Sequence, residues 1–219
     1  MLNRRNFLIG GAAVFLARPA SAAPISIPFD SSWRSLTFRR LAETTYRPQG
    51  NGLGILARES SSVFYRSLPA QAQTLTQAAW AWSVERSVPP TDLSRKGGDD
   101  RNIALYFVFM DADAADRVSP DTSLTRLMGN RAARILIYAW GGAHRQGATI
   151  PSPYLRGRGS TVVLRSAGTG AHLERVDLFA DHARVFGARP ERVVGVAVSS
   201  DSDDTGSLVE ARLSDLVLS

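Results

Sequence analysis

Cysteine is absent from all 219 residues. That excludes disulfides, thiolate metal sites, a cysteine nucleophile and a lipid-bearing cysteine behind a signal segment. Lysine is almost absent too, with Lys96 alone, so the basic excess is nearly all arginine. No basic run of the kind that follows a phosphate backbone occurs, which argues against a nucleic-acid partner. The three histidines, His144, His172 and His182, have neither the i,i+3 or i,i+4 spacing nor the thiolate neighbours of a zinc site. The Gly-x-Ser-x-Gly elbow of serine hydrolases is missing, because Gly157-Arg158-Gly159-Ser160-Thr161 lacks its spacing. Gly50-Asn51-Gly52-Leu53-Gly54 has no strand–helix–strand surroundings and reads as a turn, not a dinucleotide loop. Past residue 17 no apolar run approaches the roughly 20 residues a membrane helix needs.

What is present begins with an address. Asn3-Arg4-Arg5-Asn6-Phe7-Leu8 sets two arginines before an uncharged run, Phe7 to Ala17, which ends at Arg18-Pro19 and Ala20-Ser21-Ala22. The pattern predicts a twin-arginine signal peptide over residues 1–22, cut between Ala22 and Ala23. A cysteine-free chain suits that route, since a protein folded in the reducing cytoplasm cannot depend on disulfides. The expected product is one domain, residues 23–219, periplasmic or secreted. The signal removes three arginines and no acid, which takes the net charge from +6 to +3.

The remainder reads as short strands. Ser35–Phe38, Leu53–Ala57, Ser62–Arg66, Trp80–Val84, Asn102–Met110, Arg134–Trp140, Thr161–Leu164, Leu173–Val176, Val193–Val198 and Leu208–Leu218 are apolar or alternating. Trp80, Trp82 and Val84 fall on one face, because side chains alternate along a strand. Clear helical periodicity occurs once, over Asp177–Phe186, with Asp177 as N-cap and Gly187 as stop; a shorter turn fits Leu124–Met128. Clusters of Gly, Pro, Ser and Asp separate the strands at intervals that suit a sandwich. The fold class expected is all-β: an antiparallel β-sandwich of jelly-roll or galactose-binding-like type with one short helix.

Two acidic segments are the chemical candidates. Gly97-Gly98-Asp99-Asp100 precedes one strong strand, and Asp201-Ser202-Asp203-Asp204-Thr205-Gly206 follows another. Asp201, Asp203 and Thr205, with Gly206 next, occupy the first, third, fifth and sixth places of a calcium loop, although Arg212 stands at the twelfth in place of a bidentate Glu. Calcium is therefore the one cofactor the pattern admits, against a reading of the same residues as a polar turn. Asp100 and Asp203 are alternatively a pair for carboxylate-dependent glycoside hydrolysis. Among the aromatics, Trp140, followed by Gly141-Gly142, is the candidate for stacking on a sugar, with Asp99 and Asp100 accepting hydroxyl hydrogen bonds. Trp82 and Tyr106 read as core.

Trp80-Ala81-Trp82-Ser83-Val84, Lys96-Gly97-Gly98-Asp99-Asp100, Tyr138-Ala139-Trp140-Gly141, Arg175-Val176-Asp177 through Phe186-Gly187 and the closing Asp201–Gly206 segment together resemble domain-of-unknown-function family 3047, over roughly residues 50–215. Ala81 stands where that pattern usually has arginine, and Asp204 where it commonly has asparagine. The resemblance implies a sandwich similar to carbohydrate-binding jelly rolls, which is fold-level analogy. The function expected is a non-catalytic module binding a glycan or cell-envelope polymer. A carboxylate-dependent hydrolase and an envelope scaffold are its rivals.

Overall fold

Alternation decides which strand faces are buried. Along Gln77–Arg86 the even residues Ala78, Trp80, Trp82 and Val84 are buried, while the odd ones between them are partly open. A computed structural model of the protein describes residues 23–119 and 121–219. The predicted signal segment lies outside the described residues.

Thirteen strands are present among them: β1 (Ile25–Ser26), β2 (Arg34–Thr37), β3 (Thr45–Gln49), β4 (Gly52–Arg58), β5 (Ser61–Ser67), β6 (Gln77–Arg86), β7 (Arg101–Met110), β8 (Arg134–Trp140), β9 (Thr149–Pro151), β10 (Gly159–Arg165), β11 (Gly170–Asp177), β12 (Arg192–Asp201) and β13 (Leu208–Leu218). They form a six-stranded sheet in the order β11-β6-β13-β4-β3, with β1 beside β13, and a seven-stranded sheet in the order β2-β5-β12-β7-β8-β10-β9. The chain changes sheet at every step from β4 to β7 and again from β10 to β13, so sequence neighbours face each other across the core. That alternation makes a sandwich of jelly-roll type. Pairing is antiparallel throughout except between β8 and β10, which run parallel because the short β9 hairpin reverses the chain between them.

The core lies between the sheets. Phe107, Tyr138 and Trp140 from the larger sheet meet Trp80 and Trp82 from the smaller, with ring centroids 5.7–6.5 Å apart across the sheets. Three short helices join the strands where one was expected outright: α1 (Ala112–Ala115), α2 (Leu124–Gly129) and α3 (Leu178–Phe186). Each starts at a side-chain cap, Asp111, Ser123 or Asp177, that accepts from a free first-turn N–H. α3 ends at Gly187, whose φ of +79° is the left-handed turn glycine permits most cheaply.

Candidate functional site

The outer face of the seven-stranded sheet is apolar as well. Along β7, Ile103, Leu105, Phe107 and Phe109 point inward, while Ala104, Tyr106, Val108 and Met110 point outward. β8 does the same with Ile135, Ile137 and Ala139 outward. This outer face is not covered by a sheet. Helix α2, the loop around Leu93 and the loop around Tyr154 and Leu155 cover it partly, and a cleft of about 330 Å³ remains. Val63, Val108, Ile135, Ile137 and Ala197 supply the floor, with Leu124 and Met128 of α2 as one wall. Phe38, Leu41 and Tyr154 line the cleft with about half their surface open; they are three of the four exposed large apolar side chains among the described residues. A concave, mainly apolar hollow with a few convergent polar groups is the usual form of a ligand site.

The polar end is built by a register slip. Ser199 pairs with Ala104 but Asp201 pairs with Arg101, so β7 carries one residue more than β12 between those pairs. The bulge turns Arg101 onto the same face as Tyr106, although they are five residues apart. Gly141 makes room for it: a Cβ there would lie 2.7 Å from the Arg101 Cβ. Arg101 then holds Asp201 at 2.7 Å and Asp99 at 3.2 Å, and donates to the Tyr106 hydroxyl. Asp201 also accepts from Ser61 and Ser199, and Asp99 accepts from the Tyr154 hydroxyl at 2.8 Å. Burial pushes the Asp201 carboxyl up while Arg101 and Ser61 pull it back. Burial works against the charge of Arg101, but Asp201, Tyr106 and Asp99 outweigh it and raise its affinity for its proton.

The two acidic segments meet at this end. Asp100, 1% exposed, accepts from the Thr205 N–H at 2.8 Å, the Thr205 hydroxyl at 2.6 Å and the Asp204 N–H at 3.4 Å. It thus ties the turn after β12 to the start of β7. Asp203 and Asp204 line the cleft beside it. Burial, then the nearby charges of Asp100, Asp204 and Asp201, pushes the Asp203 carboxyl up to about 6. Asp204 is raised by burial and by Asp100 and Asp99.

The residues expected from sequence divide accordingly. Asp99, Asp100, Asp201 and Asp203 all border the cleft. Trp140 does not, and this is a correction: it is 2% exposed in the inter-sheet core, packed on Trp82 and on His172. Its parity with Leu136 and Tyr138 along β8 carries the signal, since all three point inward. The expected pair Asp100 and Asp203 meets at this end of the cleft, and Asp100 accepts from the Asp204–Thr205 turn through both oxygens, Oδ2 twice and Oδ1 once at 3.4 Å. The calcium set does not converge: Asp201 faces Arg101, Ser61 and Ser199, and the Thr205 hydroxyl donates to Asp100 and lies 2.8 Å from the Ser207 hydroxyl. Among the described residues, no group of three or more His, Asp or Glu is arranged to hold a metal ion. Tyr106, expected in the core, stands at the polar end of the cleft. Sequence reasoning passed over Arg101, Phe38, Leu41 and Tyr154. A Phe and a Leu in a loop among Arg39, Arg40 and Glu43 were the available signal for the rim.

Among solved structures, 14% of residues are identical to a meso-active, thermostable cellulase derived from Cel12A of Rhodothermus marinus, over 89% of this chain and 99% of that one, with a TM-score of 0.44. The xyloglucanase domain of NopAA, a type three effector from Sinorhizobium fredii solved with cellobiose, is 6% identical over 90% of this chain and 98% of that one, with a TM-score of 0.39. Likenesses this distant carry no residue's role to this chain. No match was found among curated proteins. A family model described as "Protein of unknown function (DUF3047)" matches residues 31–217, and the chain belongs to that family.

Proposed function

We propose that the protein is an exported, non-catalytic binding module, periplasmic or secreted, whose cleft takes a segment of a glycan or cell-envelope polymer. The observation that carries this reading is the grouping of exposed Phe38, Leu41 and Tyr154 around one cleft that ends in carboxylates. Sugar rings offer apolar C–H faces to such side chains, and their hydroxyls donate to carboxylates such as Asp99, Asp203 and Asp204. Asp99, Asp100 and Asp201 are engaged by Tyr154, Thr205 and Arg101, which suits positioning better than proton transfer. Calorimetric titration with soluble envelope glycans tests the reading. Saturable binding, weakened by Tyr154→Ala with folding intact, is expected; no binding to any glycan overturns it.

One observation favours a carboxylate-dependent hydrolase as the second reading. An acid pushed up to about 6 in a cleft is suited to protonate a leaving group near neutral pH. Turnover of a glycoside by the wild type, abolished in Asp203→Asn while binding persists, would establish this reading in place of the first.

A further inference from the structure

We infer that the glycan taken by this cleft is the headgroup of a glycolipid, whose alkyl chain lies along the aliphatic floor while the sugar stays at the rim and the carboxylate end. The inference rests on the binding-module reading of the same site and adds the class of ligand. Shape points to a chain. The floor residues Val63, Ala197, Val108 and Ile137 come from β5, β12, β7 and β8, four neighbouring strands, and Thr161 of β10 extends the line to a fifth. Neighbouring strands lie roughly 4.8 Å apart, so the hollow runs on the order of 20 Å across the sheet. About 330 Å³ drawn out over such a length is about as wide as one hydrocarbon chain, and too narrow for a row of sugar rings.

Hydrogen-bonding capacity points the same way. The body of the cleft is walled by Val108, Ile135, Ile137, Leu124, Met128 and Leu155, whose side chains offer a hydroxyl no partner. The polar groups that border it are turned on one another. Arg101 pairs with Asp99 and Asp201 and donates to Tyr106; Ser61 donates to Asp201, and Tyr154 donates to Asp99. A sugar ring pushed into the body would strand its hydroxyls, at a cost for each one. An alkyl chain has no such groups and gains with every methylene removed from water, and the unbranched Met128 side chain adapts to its course. The sugar belongs at the rim. Phe38 and Leu41 follow edge strand β2 and Tyr154 follows edge strand β9, all three exposed, while Asp203 and Asp204 accept hydroxyl hydrogen bonds at the polar end. A phosphate or carboxylate headgroup would meet those same acids, so the charges favour a neutral sugar.

The test is calorimetric titration of the wild type, below micelle-forming concentrations, with alkyl β-maltosides from hexyl to hexadecyl. Free maltose, tetraethylene glycol monodecyl ether and dioctanoylphosphatidylglycerol are the comparison probes. Affinity is expected to rise about two- to fourfold per methylene and to level off once the cleft is filled. Decyl maltoside is expected to bind about a hundredfold or more tighter than maltose. It is also expected to bind about tenfold tighter than the decyl ether, which lacks hydroxyl donors for the carboxylates, and than the anionic phospholipid. Ile137→Ala, which enlarges the hollow, is expected to move the plateau to a longer chain. Maltose binding as tightly as its alkyl glycosides overturns the inference and leaves the glycan-binding reading standing. So does an alkyl series that fails to bind while a soluble envelope glycan still binds. An affinity still climbing at hexadecyl overturns the inference too, because a hollow of fixed length must fill. Equal binding of the decyl ether or the phospholipid overturns both, since the cleft would then recognise a chain and not a sugar. Failure of the alkyl series and of soluble glycans together also removes both. The chain-length series is read on the wild type, so it stands even if Ile137→Ala does not fold.

Discussion

The two faces of the seven-stranded sheet start from the same kind of residue and end in different states. Inward, Phe107, Tyr138 and Trp140 meet a second sheet and are closed off completely. Outward, Val108, Ile135 and Ile137 meet two loops and a six-residue helix, which leave a cleft of about 330 Å³. Side chains packed on both sides lose dispersion contacts on every side when truncated, whereas those bordering a hollow already lack some of them. The inner face therefore serves stability first and the outer face recognition. Phe107→Ala should cost about 3–5 kcal/mol in denaturant unfolding. Ile137→Ala, on the outer face of the neighbouring strand, should cost clearly less, on the order of 2 kcal/mol, while changing ligand affinity. Equal costs at the two positions would break the comparison and make the outer face a second core.

Arg101 sharpens the contrast because it brings charge onto an otherwise apolar face. Its side chain is 14% exposed and that of Asp201 11%. Replacing it by methionine keeps the volume and strands Asp201, and partly Asp99, without a counter-charge. A loss of about 3 kcal/mol at neutral pH is expected, at the lower end for a buried pair because some solvent reaches it. Part of that loss should return in acid, where Asp201 takes up a proton. The double variant Arg101→Met/Asp201→Asn should be more stable than Arg101→Met alone. If it is not, the ion pair is incidental to the site.

The contrast also explains what could be read in the sequence. Strands came through because their alternation records burial directly: Trp80, Trp82 and Val84 were placed on one inner face by parity alone. The α3 caps were legible for a similar reason, since Asp177 and Gly187 act within a few residues of their own position. β7 read simply as buried, because Asn102–Met110 is apolar at nearly every position. Nothing in one strand tells a face closed by a sheet from a face closed by loops. Arg101 was missed because its direction depends on a bulge, and a bulge is set by the pairing of two strands ninety-odd residues apart. Trp140 was misplaced through the glycines after it, which suggested a loop edge; Gly141 instead lets the chain pass close to Arg101. Reading Asp100 and Asp203 as a pair already placed the acidic segments together, whereas the role of Asp100 in tying them to each other depends on contacts between residues about a hundred positions apart.

The smallest effect expected is the most specific to the outer face. Asp203 is raised from 3.8 to about 6, so the folded protein holds its proton more tightly than the unfolded chain does. Stability should therefore fall as pH rises from about 4 to about 6, and the full cost should persist above that range. Asp203 is only half-buried, and screening reduces the effect to on the order of 1 kcal/mol. Asp203→Asn removes the ionisation. It should raise the melting temperature at pH 7.5 by about 2–4 °C and leave it nearly unchanged at pH 3.5. The same variant should bind soluble envelope glycan more weakly, so that stability and recognition move in opposite directions at one residue. A variant no more stable than wild type at pH 7.5 would mean that Asp203 carries no strain for a ligand to relieve. The outer face would then differ from the inner one in its covering alone, and not in its charge.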